Sequence, residues 1–316
     1  MPLDPQVVQV MEAMAALGLP PADTVSPEEA RANAKLRKRS PGPEVAKVED
    51  RTISGPDSDV PVRIYTPEGS GPFPILVWFH GGGWVVGDLE SADGSARNLC
   101  VGGQCVVVSV DYRLAPDAKF PGPAEDCWAA TIWAVDNAAR INGDPTRLAV
   151  GGDSAGGNLA AVMALMAADL GGPEIALQLL VYPVTDVNFN TVSYSDNAEG
   201  YSLTKVGMQW YWEHYLENDA DALNPYAAPL QAESLVGQPP ARVITAEVDP
   251  RRDEGEAYAK RLSEAGVATT VTRYDGMIHG FFSMTAVVDK SQQAMDQASA
   301  ALRSAFSEVG SPSAAD

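Results

Sequence analysis

Cysteine is scarce in this chain, with Cys100, Cys105 and Cys127 the only three in 316 residues. An odd number clustered in one stretch gives no disulfide framework, and reduced, buried thiols are expected. Histidine is as rare: His80, His214 and His279 sit in three unrelated contexts with no His-x-x-x-His pair, which disfavours metal catalysis. Positive charge is short too. Against 22 Lys and Arg stand 42 Asp and Glu, a formal net charge of -20 that disfavours nucleic acid and anionic membranes as partners. Only residues 31–38 are locally basic, and a solvated helix face accounts for them. No run approaches the ~18 apolar residues a membrane span needs. The start, Met1-Pro-Leu-Asp-Pro5, lacks a basic n-region and an apolar h-region, so no secretory signal is read there and a cytoplasmic location is expected.

What is present is a globular composition, 45% hydrophobic and 20% charged, on a chain long enough for one large α/β unit. Residues 4–17 place Val7, Met11, Met14 and Leu17 at helical spacing, and Ser26-Pro27 reads as the cap and first residue of a second helix. Strands are expected over 45–53, 60–65, 75–79, 105–110, 147–150, 176–182, 242–247 and 267–273. Helices are expected over 91–100, 124–140, 154–170, 253–265 and 286–306. Short apolar strands alternating with helices imply a mostly parallel sheet covered on both faces, with ligands beyond the carboxyl ends of the strands. One stretch, 186–225, carries no strand pattern. Its aromatic helix over 204–216 aligns Met208, Trp212 and Tyr215 with Tyr211 beside them, and is placed either to pack on the core or to act as a lid. Residues 309–316 read as a frayed tail.

The chemistry centres on Gly152-Asp-Ser-Ala-Gly156, between a strand-like run and a helical run. A Gly-x-Ser-x-Gly pattern arises by chance in roughly one such chain in six, so the context decides. That context is the one a nucleophile elbow requires, with Ser154 on a tight strand-to-helix turn. A serine hydroxyl needs a base, and a carboxylate to orient that base. In this architecture the order is serine, acid, histidine, which selects His279 in Gly276-Met-Ile-His-Gly-Phe281 over His80 and His214. Asp249 follows a strand and is the expected acid; Asp253 reads as the cap of the next helix, and Asp275 lies too close to His279. Asp153, adjacent to the serine, is expected to point away from the imidazole. For the developing oxyanion, His80-Gly-Gly-Gly-Trp84 offers unobstructed backbone N–H groups, and the Ala155 N–H is the second expected source.

These residues as a set resemble the hormone-sensitive lipase-like esterases, bacterial family IV. The resemblance is carried by His80-Gly-Gly-Gly-Trp84, Asp111-Tyr-Arg-Leu-Ala-Pro116, Gly152-Asp-Ser-Ala-Gly156, Asp249-Pro-Arg-Arg-Asp-Glu-Gly255 and His279-Gly-Phe281. It implies an α/β-hydrolase core with a two-part helical cap: cap helices over 1–44, core over 45–186, cap insertion over 187–224 and core again over 225–316. It maps nucleophile, acid and base onto Ser154, Asp249 and His279, and oxyanion donors onto Gly82, Gly83 and Ala155 with Gly81 in support. Trp84, Tyr211 and Trp212 are the side chains expected against substrate. Hydrolysis of short- to medium-chain carboxylic esters without metal or cofactor follows from the resemblance. An amidase or deacetylase with the same triad, and a non-catalytic binding protein like the plant gibberellin receptors, are the competing readings. The expected partner is a small-molecule ester; a homodimer stays open, and stable membrane association is not expected. One departure is Arg251, where this motif commonly has leucine, a charge expected to bear on leaving-group preference.

Overall fold

Ile75, Val77 and Phe79 alternate with Leu76 and Trp78, and all five are fully buried, as a strand covered on both faces requires. In the computed structural model, which describes residues 2–37 and 39–309, the first set joins one hydrophobic core and the second joins another. Eight strands run in the order β1-β2-β4-β3-β5-β6-β7-β8. They are β1 Lys47–Ser54, β2 Asp59–Thr66, β3 Phe73–Phe79, β4 Val106–Val110, β5 Gly143–Asp153, β6 Ile175–Val181, β7 Ala241–Val248 and β8 Thr269–Ile278. Strand β2 is antiparallel to both its neighbours, and the pairs from β4 through β8 are parallel.

On one face lie α4 Gly122–Asp136, α5 Ala155–Leu170 and α8 Arg252–Glu264; on the other lie α3 Leu89–Gly103 and α9 Asp289–Val309. The expected tail lies outside the described residues from position 310 onward. The alternation read from the sequence is therefore the observed one. Strand β8 runs past its expected end because it bulges: Ala246 pairs with Tyr274 and Val248 with Ile278, so β8 advances four residues while β7 advances two. That irregularity delivers the end of β8 directly to His279.

Helices α1 Pro5–Ala15 and α2 Pro27–Lys35 begin where expected, α2 with Ser26 accepting from the Glu29 N–H at 3.2 Å. Of the α1 stripe only Val7 is fully buried, and Leu17 is exposed. Between β6 and β7 come α6 Val192–Asp196, which no sequence pattern indicated, and the aromatic helix α7 Lys205–Tyr215, capped by Thr204. Residues of the N-terminal segment and of this insertion line one cavity of about 330 Å³, among them Met11, Met14, Leu19, Leu203 and Tyr211.

The aromatic stripe of α7 is buried. Tyr215 stacks on Trp84 at 4.1 Å between ring centroids and Trp212 meets it at 4.6 Å, so the insertion is welded to the loop after β3. Trp212→Ala should destabilise the protein by about 3–5 kcal/mol, read as a lower urea midpoint at unchanged slope. A loss below about 1 kcal/mol would mean that the stack carries little of the fold.

Candidate active site

Ser154 has φ 62° and ψ -121°, a conformation that side-chain-bearing residues rarely adopt. The turn is held by packing on both sides. A Cβ on Gly156 would overlap the Phe79 carbonyl, and one on Gly152 would overlap the backbone of Gly156, so only glycine lets helix α5 start this close to β3. The Ser154 N–H donates to the Val181 carbonyl at 2.9 Å, tying the turn to β6 as well. The side chain is left 7% exposed, at the carboxyl ends of the strands.

Asp249 leaves the end of β7 and His279 the end of β8, and the structure brings both to Ser154. His279 Nδ1 lies 2.8 Å from Asp249 Oδ2, and Nε2 lies 3.2 Å from Ser154 Oγ. Burial alone would raise the Asp249 carboxyl, yet His279 and Arg251 hold it below the usual carboxylate range, so it is ionised. Burial, and then the Arg251 guanidinium, hold His279 below the usual histidine range against the opposing pull of Asp249. The Tyr182 ring meets the imidazole edge-on at 4.6 Å.

Asp253 does not cap α8 as expected. The residue at the N-cap position is Arg251, with no side-chain cap, while Asp253 Oδ2 accepts from the Ser193 N–H at 2.7 Å. Its charge is used at the start of α6 instead, because the insertion folds back onto this loop. Ser193 Oγ donates to the Pro250 carbonyl at 2.7 Å, and Asn197 Nδ2 donates to the Asp249 carbonyl at 3.4 Å. Ser202 Oγ donates to the His279 carbonyl at 2.8 Å. No local pattern marks these three polar residues, since their partners lie more than fifty residues away.

Asp153 points away from His279, as expected, and accepts from the Gly81 N–H at 3.0 Å. Desolvation pushes its carboxyl up to about 6 despite that bond. The Gly81 amide is thus engaged, whereas no hydrogen bond among the described residues takes the N–H of Gly82 or Gly83. Gly82 holds φ +127°, and its carbonyl accepts from the Val85 and Val86 amides, which turns the loop. Ala155 is the first residue of α5, so its N–H also lies outside the helical ladder.

Of the three side chains expected against substrate, Trp84 and Trp212 are buried at 0% and 3% exposure and pack on each other. Their indoles serve the core rather than an open surface. Tyr211 lines the cavity and lies against Gly83, where an added Cβ would overlap its ring. His214 sits apart, on the Trp210 ring at 4.4 Å. Among the described residues no group of three His, Cys, Asp or Glu side chains is placed to hold a metal ion.

A serine at a strand-to-helix elbow on this sheet defines an α/β hydrolase. Residues 76–283 match a family described as the alpha/beta hydrolase fold. The carboxylesterase NlhH of Mycobacterium tuberculosis is 42% identical, over 87% of this chain and 89% of that protein. An arylesterase of Saccharolobus solfataricus is 37% identical, over 89% of this chain and 92% of its own. Two solved structures superpose closely. An α/β hydrolase enzyme from the metagenome of Lake Arreo, Spain, gives a TM-score of 0.91 at 40% identity, covering 98% of this chain and 99% of that one. A hyperthermophilic esterase from the archaeon Pyrobaculum calidifontis gives 0.90 at 38%, covering 98% and 100%. The chain belongs to the hormone-sensitive lipase-like, family IV esterases of the α/β-hydrolase superfamily.

His80, beside the Gly81–Gly83 loop, is buried, stacks on Tyr112 at 4.4 Å and lies with Nδ1 2.8 Å from the Gly81 carbonyl. Burial lowers its pKa to about 4. The folded protein therefore keeps His80 neutral where the unfolded chain, with an imidazole near 6.5, takes up a proton. The associated stability is present above about pH 6.5 and is lost as pH falls toward 4, a change of about 3 kcal/mol. In His80→Asn the difference in unfolding free energy between pH 7 and pH 4 should shrink by about that amount, measured by urea titration at both pH values. An unchanged difference would show that His80 is not the group titrating.

Proposed function

We propose that this esterase hydrolyses short- to medium-chain carboxylic esters through an acyl-enzyme on Ser154, with His279 as base and Asp249 as its orienting acid. The observation that carries the reading is the unbroken chain from Asp249 Oδ2 to His279 Nδ1 at 2.8 Å and from Nε2 to Ser154 Oγ at 3.2 Å. With Nδ1–H donated to the carboxylate, Nε2 is free to take the hydroxyl proton as Oγ attacks the ester carbonyl. The imidazolium then protonates the departing alcohol, and water repeats both steps to release the acid.

The oxyanion is received by the N–H groups of Gly82, Gly83 and Ala155. Asp153 supports that assignment, because by holding Gly81 it fixes the loop that presents the two glycine amides. Residues 1–44 and 187–224 act together as a cap. Support for this comes from the cavity they jointly line and from the Ser202 bond to the base loop. Tyr211 is the cap side chain that meets substrate, through its place against Gly83.

Ser154→Ala should lower turnover of p-nitrophenyl butyrate by roughly 10⁴–10⁶-fold while leaving the urea midpoint near wild type. Near-wild-type hydrolysis by that variant would overturn the reading. A series of p-nitrophenyl esters should peak in kcat/KM among short and medium chains and fall steeply by palmitate. Comparing butyrate esters with butyranilides separates an esterase from an amidase, with faster ester turnover expected.

A further inference from the structure

Arg251 is 1% exposed, and its guanidinium touches the imidazole of His279. Nη2 lies 2.7 Å from Nδ1 and 3.1 Å from Nε2, and the same nitrogen donates to the Tyr182 carbonyl at 2.9 Å. The backbone N–H of Arg251 donates to Asp249 Oδ1 at 2.9 Å, and Nε stands 3.8 Å from that oxygen. Neither Nε nor Nη1 has a hydrogen-bond partner among the described residues. The charge therefore faces His279 and Asp249.

A guanidinium stays protonated and has only donors. With Nδ1–H already donated to Asp249, protonating His279 adds an N–H at Nε2, 3.1 Å from Arg251 Nη2, and sets cation against cation at contact distance. Neutral imidazole keeps a lone pair on one nitrogen, which a cation tolerates. The contact thus favours the neutral ring, opposite in sign to Asp249 on Nδ1. The other groups around the imidazole do not cancel this charge. From the end of β6 comes the Tyr182 ring edge, from the elbow the Ser154 hydroxyl, and from the insertion the Ser202 hydroxyl on the His279 carbonyl. Asp153, across the elbow, also feels Arg251, but its carboxyl titrates at about 6 and is neutral in acid. Glu254, one turn along α8, accepts from the Thr185 N–H, and burial pushes its carboxyl well above the usual range.

We propose that Arg251 is a positioning residue that acts through His279: its fixed charge keeps the base unprotonated in acid and so extends ester hydrolysis to lower pH. The same charge opposes the imidazolium formed at each proton transfer, so the wider pH range comes at the expense of the plateau rate. This rests on His279 being the base.

The test is the pH profile of kcat/KM for p-nitrophenyl butyrate, followed at the wavelength where phenol and phenolate absorb equally. Arg251→Leu should raise the apparent pKa of the acid limb by about one unit, so that at pH 5 its rate relative to its own plateau is roughly tenfold below wild type. Arg251→Lys, which keeps the charge, should leave the limb near the wild-type position. An acid limb that does not move in Arg251→Leu, or that moves equally in Arg251→Lys, overturns the proposal. Should Arg251→Leu fail to fold, titration of the His279 ring by NMR in the wild-type protein decides, since an apparent pKa at or above 6.5 is incompatible with it. Ser154→Ala and His279→Gln separate the two levels. If either hydrolyses like wild type the triad itself falls, whereas if both are inactive and the limb is unmoved, only the role of Arg251 falls.

Discussion

The close approach of helix α5 to strand β3 is the constraint on which the rest of the site depends. Two glycines, Gly152 and Gly156, allow backbone to meet backbone there, and the turn between them forces Ser154 to a positive φ. Several features follow from that single geometry. The Ser154 side chain sits at the carboxyl ends of the strands, the Ala155 amide opens helix α5 outside its ladder, and Asp153 accepts from the Gly81 N–H. The placement of Ser154, of the Ala155 amide and of the Gly81 loop is thus set by three consecutive residues.

The insertion is anchored to this centre by two different kinds of force. On the side of the loop after β3 the link is apolar, through the stacked rings of Trp84, Trp212 and Tyr215. On the side of Asp249 and His279 it is polar, through Ser193, Asn197 and Ser202 on backbone carbonyls and an aspartate. Apolar stacking tolerates sliding better than directional hydrogen bonds do. The loops that carry Asp249 and His279 are accordingly the more narrowly positioned of the two.

The parallel sheet was legible because buried strands such as Ile75–Phe79 carry almost no polar residues, and the elbow because its glycines have a local steric reason. The Ser154, Asp249 and His279 cluster was legible through chain order and the scarcity of histidine. What escaped depends on distance in sequence. The Asp253 bond to Ser193, the helix α6 and the bulge that lengthens β8 are all set by partners far along the chain. The aromatic stripe was visible, but periodicity does not say which side of a helix meets core and which meets ligand. Tyr211 faces the cavity while Trp212, one residue on, belongs to the core. Arg251 was conspicuous as a charge in an apolar slot, yet only the folded structure puts it on the imidazole.

Helix α1 is fastened to parts of the molecule made last. The Asp4 amide donates to the Gly276 carbonyl, Gln6 accepts from the Asp289 amide, and Lys290 pairs with Asp4 at 3.3 Å. These contacts span almost the whole chain, and such contacts form late because their loop entropy must be met first. A ribosome that has released Ser154, the Gly81–Gly83 loop and even Asp249 still holds back the surface on which α1 docks. Through most of synthesis the nascent chain therefore carries Ser154 before α1 can bring Met11 and Met14 to the cavity they line.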